Sequence, residues 1–339
     1  MTKTALIFGV TGQDGSYLAE FLLSKKYKVH GVKRRTSIPN TDRIDHIFDS
    51  INFKNRNFKM HHGDLSDSGS LYRIINDVNP DEIYNLAAQS HVKISFQIPE
   101  YTSDVNALGT LRILEIIRHY KKKKIKFYQA SSSEMFGKSK PPQNEKTIFQ
   151  PRSIYAVSKV FAFHSVVHYR EAYKVHACNG ILFNHESPRR GVNFVTKKIV
   201  QGLIRIKQKK QKKLVLGNLY SKRDWGHAKD YVKSMWKILQ TKKAEDFVIA
   251  TKKSYSVKDF VNICAKKLDI NLVWKGKGLN EVAIDKKTKN TLIKIDKKYF
   301  RETEVDNLVG DFKKAKKVLK WQPSISLSNL IDDMIANEI

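Results

Sequence analysis

Short apolar runs alternate with amphipathic segments through the first half of the chain. Lys3–Phe8, Lys28–Lys33, Phe58–His62, Glu82–Leu86, Ile125–Gln129 and Val175–Phe183 are strand-length, rich in β-branched or aromatic residues, and bounded by polar turns. Between them Ser16–Lys25, Ser68–Val78, Tyr101–Tyr120 and Ser153–Tyr173 carry apolar residues at helical spacing, and Ser68 is positioned to cap the second of these. Runs that are apolar on both faces suit buried parallel strands. Strand–helix alternation as far as residue 183 predicts an α/β fold, a doubly wound parallel sheet of the Rossmann type. Residues 36 to 56 form a polar stretch with a short helix near Ile44–Phe48. It is longer than an ordinary connection, which points to a contact role.

Beyond Phe183 the alternation weakens. Helices are expected at Phe194–Lys207, Ala228–Gln240, Ser256–Leu268, Asp311–Leu319 and Leu327–Ala336, with short strands at Leu214–Leu216, Phe247–Ala250 and near Ile293–Ile295. We expect residues 1–183 to form the sheet domain. Residues 184–339 would form a smaller mixed α/β lobe that closes over a ligand, with the chain crossing back to the first domain.

Composition narrows the class. The 339 residues are 41% hydrophobic, enough for a sizeable core. No apolar run approaches the roughly 20 residues that span a bilayer. Met1-Thr2-Lys3-Thr4 leads straight into a strand rather than into a signal-peptide core. Cys178 and Cys264 have no paired spacing, so a reduced, cytoplasmic protein is expected. The net charge of +30 invites a nucleic-acid reading. Its lysines, however, lie in scattered runs (Lys121–Lys124, Lys207 to Lys213, Lys286 to Lys298). No zinc-ligand spacing or RNA-binding aromatic motif accompanies them. Solvated faces account for them, and neither a nucleic-acid partner, a membrane nor a metal site is expected.

The chemistry-bearing residues sit at the ends of the expected strands. Gly9-Val10-Thr11-Gly12-Gln13-Asp14-Gly15 joins the first strand to the first helix. There glycines permit a tight turn and let a pyrophosphate approach the helix N-terminus. The second strand ends in Arg34-Arg35, where an NAD site usually places an acidic residue; two arginines favour the 2′-phosphate of NADP. Ala87-Ala88-Gln89-Ser90 follows the fourth strand, and Ser131 to Glu134 follows the fifth, where open parallel sheets bind ligands. Tyr155 and Lys159 are four apart and so share a helix face. A phenol with an ordinary pKa near 10 becomes a base near neutrality only where a positive charge favours its phenolate, and Lys159 could supply that charge.

Several long blocks resemble one family. They are GVTGQDGSYL from Gly9, YNLAAQSHVKIS from Tyr84, FYQASSSEMFG from Phe127, NGILFNHESPRRG from Asn179, KRDWGHAKDY from Lys222 and RETEVD from Arg301. Together these are similar to GDP-mannose 4,6-dehydratases, within the extended short-chain dehydrogenase/reductases. The resemblance implies catalytic roles for Ser132, Glu134, Tyr155 and Lys159. It implies an NADP site at Gly9, Thr11, Gly12, Gln13, Asp14, Gly15, Arg34, Arg35, Asp64, Leu65, Leu86, Ala88, Gln89, Ser90, Tyr101, Lys159, His185 and Arg190. It implies a GDP-sugar site at Ser90, Asn184, Lys198 (or the adjacent Lys197), Arg223, Arg301 and Glu304. An arm at Arg35 to Asn40 would reach a neighbouring subunit's cofactor in a homotetramer. The implied reaction oxidises C4, removes water across C5–C6 and returns the hydride to C6. A 4-ketoreductase or epimerase is the alternative reaction. This chain has Ser132 where the family usually has Thr, Ile154 where it has Pro, and His164 where it has Trp. Those changes are expected to cluster around the sugar pocket, and they bring in GDP-D-glycero-D-manno-heptose as a rival to GDP-mannose.

Overall fold

The computed structural model describes residues 2–47, 57–300 and 303–338. In chain order the first elements are β1 (Thr4–Phe8), α1 (Gln13–Ser24), β2 (Lys28–Lys33), β3 (Phe58–His62), α2 (Ser68–Val78) and β4 (Glu82–Asn85). They continue with α3 (Pro99–Ser103), α4 (Gly109–His119), β5 (Lys126–Ser132), α5 (Ile154–Ala172) and β6 (Ala177–Leu182). Then come β7 (Asn184–Glu186), α6 (Val195–Lys207), β8 (Leu214–Leu216), β9 (Lys222–Arg223), β10 (Trp225–His227), α7 (Ala228–Leu239) and β11 (Phe247–Ile249). The last are β12 (Tyr255–Ser256), α8 (Val257–Lys267), β13 (Leu272–Lys275), β14 (Val282–Asp285), β15 (Thr291–Ile295), β16 (Asn307–Leu308), α9 (Lys313–Leu319) and α10 (Leu327–Ala336).

Seven strands form one parallel sheet in the order β11-β6-β5-β4-β1-β2-β3. The strand order reverses beside β1, the place where a doubly wound sheet opens a crevice at its carboxyl edge. One face is covered by α1 and α7, whose Leu18, Leu22, Tyr231 and Met235 join a core with Trp321. The other face packs Leu71 and Ile75 of α2, Leu114 of α4 and Val166 of α5 against Leu6 and Phe127 of the sheet. Full burial of each such side chain contributes roughly 1.5–3 kcal/mol. The seventh strand and its covering helices α7 and α9 thus come from residues beyond 227.

A separate core joins α6, α8 and α10 to β15 through Leu203, Phe260, Ile293 and Met334. Here β13-β14-β15-β8 make a four-stranded mixed sheet. The hairpin strands β13 and β14 have no counterpart among the expected elements. Each is only four residues long, with three apolar residues in a row rather than an alternation, and the burial of β13 is shallow.

Three local details differ from expectation. Asp67, rather than Ser68, caps α2, accepting from the backbone N–H groups of Gly69 and Ser70. The helix expected over 101–120 contains a π-turn at Asp104–Leu108, between α3 and α4. Residues 42–47 form turns rather than a helix, and Phe48 lies outside the described residues. Among the described residues no helix is long and apolar enough to cross a membrane.

Candidate active site

The first strand–helix junction is built for close backbone approach. Gly9 has φ of +83°, and a Cβ there would lie 2.8 Å from the Ala87 nitrogen. A Cβ on Gly15 would lie 2.3 Å from the Gly9 oxygen. Gly12 precedes α1 with no side-chain cap, so the first N–H groups of this twelve-residue helix point outward for an anion. The donor geometry fits a pyrophosphate. The next two side chains turn inward: Gln13 donates to the Asp14 carboxylate and to the His185 carbonyl, and accepts from Ser187.

Asp14 and His185 form a buried pair. The His185 Nε2 lies 2.7 Å from the Asp14 carboxylate, and its Nδ1 lies 2.7 Å from the Phe183 carbonyl. Its ring stacks on Tyr231 at 4.4 Å. Burial works against both charges, but each offsets it for the other, so the imidazole is raised and the carboxyl lowered from their ordinary values.

A cleft of about 1040 Å³ opens at the carboxyl edge of β4, β5 and β6. Ser132 and Glu134 reach it from the end of β5, and Tyr155 and Lys159 from the first turn and a half of α5. The Ser153 hydroxyl accepts from the Ala156 N–H and fixes the start of α5. Ser132 hydrogen-bonds Tyr155, and its Oγ accepts from the Glu134 backbone N–H at 3.2 Å. Lys159 donates to the Ala130 carbonyl at 2.8 Å and stands 5.9 Å from the centre of the Tyr155 ring.

Burial dominates both ionisable partners. It pushes the Tyr155 phenol up to about 12, with the Ser132 hydrogen bond opposing and the Glu134 carboxylate adding to the effect. It pulls the Lys159 ammonium down to about 8. Lys159 stands one helical turn from Tyr155, where its charge can favour the phenolate. Burial, the largest influence on the phenol, favours its protonated form.

The facing wall comes from the smaller core. Arg223, buried on β9, donates to the Val305 carbonyl at 2.7 Å, and its Nε lies 3.9 Å from the Glu134 carboxylate. Glu304 accepts from the Ser221 hydroxyl at 2.9 Å. Asn184 lines the cleft, and its buried Oδ1 has no hydrogen-bond partner among the described residues. The neighbouring lysines separate cleanly. Lys198 faces the cleft beside the Tyr299 ring at 3.7 Å, whereas Lys197 is tied to the Pro188 carbonyl and Glu338.

The expected residues therefore fall into two groups. Asp14, Leu86, Ala88, Ser90, Ser132, Glu134, Tyr155, Lys159, Asn184, His185, Arg190, Lys198, Arg223 and Glu304 all line the one cleft. Arg34 instead touches the Tyr101 hydroxyl farther along the edge, and Asp64 accepts from Ser66 beside the buried Leu65. Arg35 bends back to the Thr36 carbonyl. Gln89 is held by Asn106, and Arg301 lies outside the described residues. Of the three departures from the family pattern, only Ser132 is on the cleft wall. Ile154 is not, and His164 is exposed on α5 against Phe149 and Phe163. Their expected clustering around the sugar is thus corrected, because helical spacing turns position 164 outward.

Two supporting residues escaped sequence reasoning. Asn106, within the π-turn, accepts from the Gln89 N–H, donates to the Gln89 carbonyl and to Ser158, and so sets the loop after β4 against α5. Arg43 donates to the carbonyls of Arg189 and Thr11, joining the long connection to the glycine turn. Neither carries a local signal, since both act across long sequence separations.

The chain matches the model of the GDP-mannose 4,6 dehydratase family over residues 6–334. It is 54% identical over 340 residues to the GDP-mannose 4,6 dehydratase of Drosophila melanogaster, covering 99% of this chain and 86% of that one. It is 53% identical over 349 residues to the GDP-mannose 4,6-dehydratase of Vibrio cholerae serotype O1, covering 99% and 94%. Among solved structures, dTDP-glucose 4,6-dehydratase from Bacillus anthracis in complex with NAD superposes with a TM-score of 0.80 at 20% identity, covering 99% and 96%. RMD from Pseudomonas aeruginosa complexed with NADPH gives 0.76 at 19%, covering 99% of each. The solved structures share the fold, and the sequence match over nearly the whole length places this chain in the GDP-mannose 4,6-dehydratase family.

Proposed function

We propose that this protein is an NADP-dependent dehydratase that converts GDP-mannose to GDP-4-keto-6-deoxy-mannose. The observation that carries the reading is the convergence of Tyr155, Lys159 and Glu134 in one cleft with Arg223 opposite. A reductase or epimerase uses the tyrosine–lysine pair but has no task for a carboxylate at C5–C6. When bound, a nicotinamide cofactor would supply reversible hydride acceptance for C4 and C6, and its oxidised form would place a positive charge near the phenol.

Tyr155 takes the O4 proton, with Ser132 bridging phenol and sugar hydroxyl. Lys159 holds the cofactor ribose and supports the phenolate. Once C4 is a ketone, the C5 hydrogen is acidic; Glu134 removes it and delivers a proton to the departing C6 hydroxyl. Arg223 and Arg301 suit the diphosphate, which a guanidinium binds in bidentate fashion. Glu304 can accept from the N1 and N2 donors of guanine. Lys198 and Asn184 complete the sugar-nucleotide wall.

NADP is favoured over NAD by Arg34 and Arg35, with no acidic residue at the end of β2. Arg34, exposed beside Tyr101, is free to clamp a 2′-phosphate over that ring. The exposed arm from Arg35 to Asn40, with Ile38 largely in solvent, supports a homotetramer in which the arm meets a neighbour's cofactor. Cys178 and Cys264 are unpaired and buried, as suits a cytoplasmic enzyme.

A second substrate reading rests on Ser132. The methyl missing there leaves room beside the hexose, which favours turnover of GDP-D-glycero-D-manno-heptose. Incubating the enzyme with each sugar nucleotide, and measuring product mass and NADPH, tests both readings. Loss of one water with no net change in NADPH is expected for GDP-mannose. Stoichiometric NADPH oxidation, or an epimer as sole product, would replace the dehydratase reading with a reductase or epimerase.

A further inference from the structure

The three lysine runs do not occupy equivalent places in the fold. Lys121–Lys124 follows α4 and precedes β5, at the amino edge of the sheet. There Lys123 pairs with Asp81 at 2.7 Å and Lys122 donates to the Asn76 carbonyl. The catalytic cleft lies at the opposite, carboxyl edge. Lys207 to Lys213 instead closes the C-terminal end of α6; Gln211 of this turn and Arg205 of the last helical turn line the cleft itself.

The turn is tightly folded onto the cleft. Lys210 and Gln211 both donate their N–H groups to the Arg205 carbonyl, and Lys209 takes a left-handed φ of 61° to allow it. Lys207 pairs with Asp269 at 3.3 Å. Lys209, Lys210, Lys212 and Lys213 are exposed and make no ion pair with an acidic side chain among the described residues. The end of the third run approaches the same opening. Tyr299 lines the cleft, and Lys93, also on the wall, donates to the Lys298 carbonyl.

We propose that the Lys209–Lys213 turn is an electrostatic capture rim that draws the diphosphate of the sugar nucleotide into the cleft. The inference rests on the GDP-sugar reading of the site. Four uncompensated charges beside a low-dielectric cleft focus a field at its mouth, where a dianion arrives. Focusing of this kind raises on-rates by about 10- to 1,000-fold in general. Exposed charges act through salt-screened range, so the rim works on encounter and leaves the chemical step alone. The net charge of +30 is thereby divided into a working part and a merely solvating part.

The test compares two variants of the full chain loaded with NADP⁺. One carries K209Q, K210Q, K212Q and K213Q; the other carries K121Q, K122Q and K124Q, with Lys123 kept for its pair with Asp81. Association of GDP-mannose is followed by stopped-flow tryptophan fluorescence, for which Trp225 on the cleft wall is the reporter. Salt is varied from about 0.02 to 0.5 M. The rim variant is expected to associate about five- to tenfold more slowly than wild type at low salt, with a flatter salt dependence, and to converge with it at high salt. Its kcat and dissociation rate are expected to stay within about twofold of wild type. The amino-edge variant is expected to follow wild type throughout. Parallel salt curves for wild type and the rim variant would overturn the rim, as would an equal loss in both variants, which would assign the effect to net charge. Wild-type enzyme that neither binds nor turns over GDP-mannose would overturn the substrate reading along with it.

Discussion

Two buried ionisable side chains flank the cleft, Lys159 on α5 and Asp224 behind β9, and the protein treats them oppositely. Lys159 is 3% exposed and has three N–H donors, one of which goes to the Ala130 carbonyl. Burial pulls it down to about 8. Asp224 is fully buried and accepts from the Thr251 N–H and hydroxyl, the Lys252 N–H and the Gly310 N–H. Burial still raises it to about 6 against those four donors. The carboxylate is saturated and joins the strands behind Arg223 to the end of β11. The ammonium is left with donor capacity on the cleft side. The carboxyl saturated with donors is a joint between elements, while the under-coordinated ammonium keeps donors for a ligand.

The largest effect is expected at the catalytic edge. Replacing Glu134 by Gln removes a proton acceptor without changing shape. Expected is a fall in kcat of about a thousandfold, within the range general acid–base groups supply. Deuterium wash-in at C5 should vanish while C4 oxidation, seen as transient NADPH absorbance, persists. Wild-type-like exchange at C5 would remove Glu134 from the elimination step.

Lys159 sharpens the contrast through pH. Its charged form supports the phenolate, so kcat/KM should fall as pH rises through about 8. Lys159→Met should lose about a hundredfold in rate and show no basic limb there. A basic limb unchanged in that variant would assign the titration to another group.

How much of this contrast was legible in the sequence differs between the two sites. Tyr155 and Lys159 share one helix face by spacing, and the glycine turn declares itself locally, so the sheet half could be read residue by residue. Asp224 gave no warning, because its four donors come from 251, 252 and 310, positions that only the tertiary fold brings together. The same holds for Asn106, whose place in a π-turn breaks the helical period that pattern reading relies on. Regular elements are written in short-range periodicity; joints between elements are written in contacts that periodicity does not encode. The hairpin of β13 and β14 escaped for a related reason, since its four-residue strands are partly exposed and carry no polar–apolar alternation.

Asp224→Asn tests the joint. An amide presents one N–H₂ to donors that needed an acceptor, at a cost of about 1–3 kcal/mol. The sign with pH follows from the raised pKa. Folding favours the protonated acid, so the contribution is fully present below the ordinary value of 3.8 and is lost as pH rises through about 6. The stability gap between wild type and variant, measured by urea unfolding, should therefore narrow from pH 4 to pH 7. A gap that widens over that range would mean the hydrogen bonds, rather than burial, govern Asp224.

The smallest expected effects separate the two regions most clearly. Ser153 caps α5 two residues before Tyr155, and Ser256 caps α8 in a reciprocal capping box with Asp259. Either serine changed to alanine should cost about 1 kcal/mol of stability. Only Ser153→Ala should also slow catalysis, by a few fold, because fraying the first turn of α5 moves the phenol relative to Ser132. Ser256→Ala should leave kcat unchanged, since α8 reaches the cleft only through Val257. Equal losses of kcat in both variants would show that activity follows global stability rather than the placement of Tyr155.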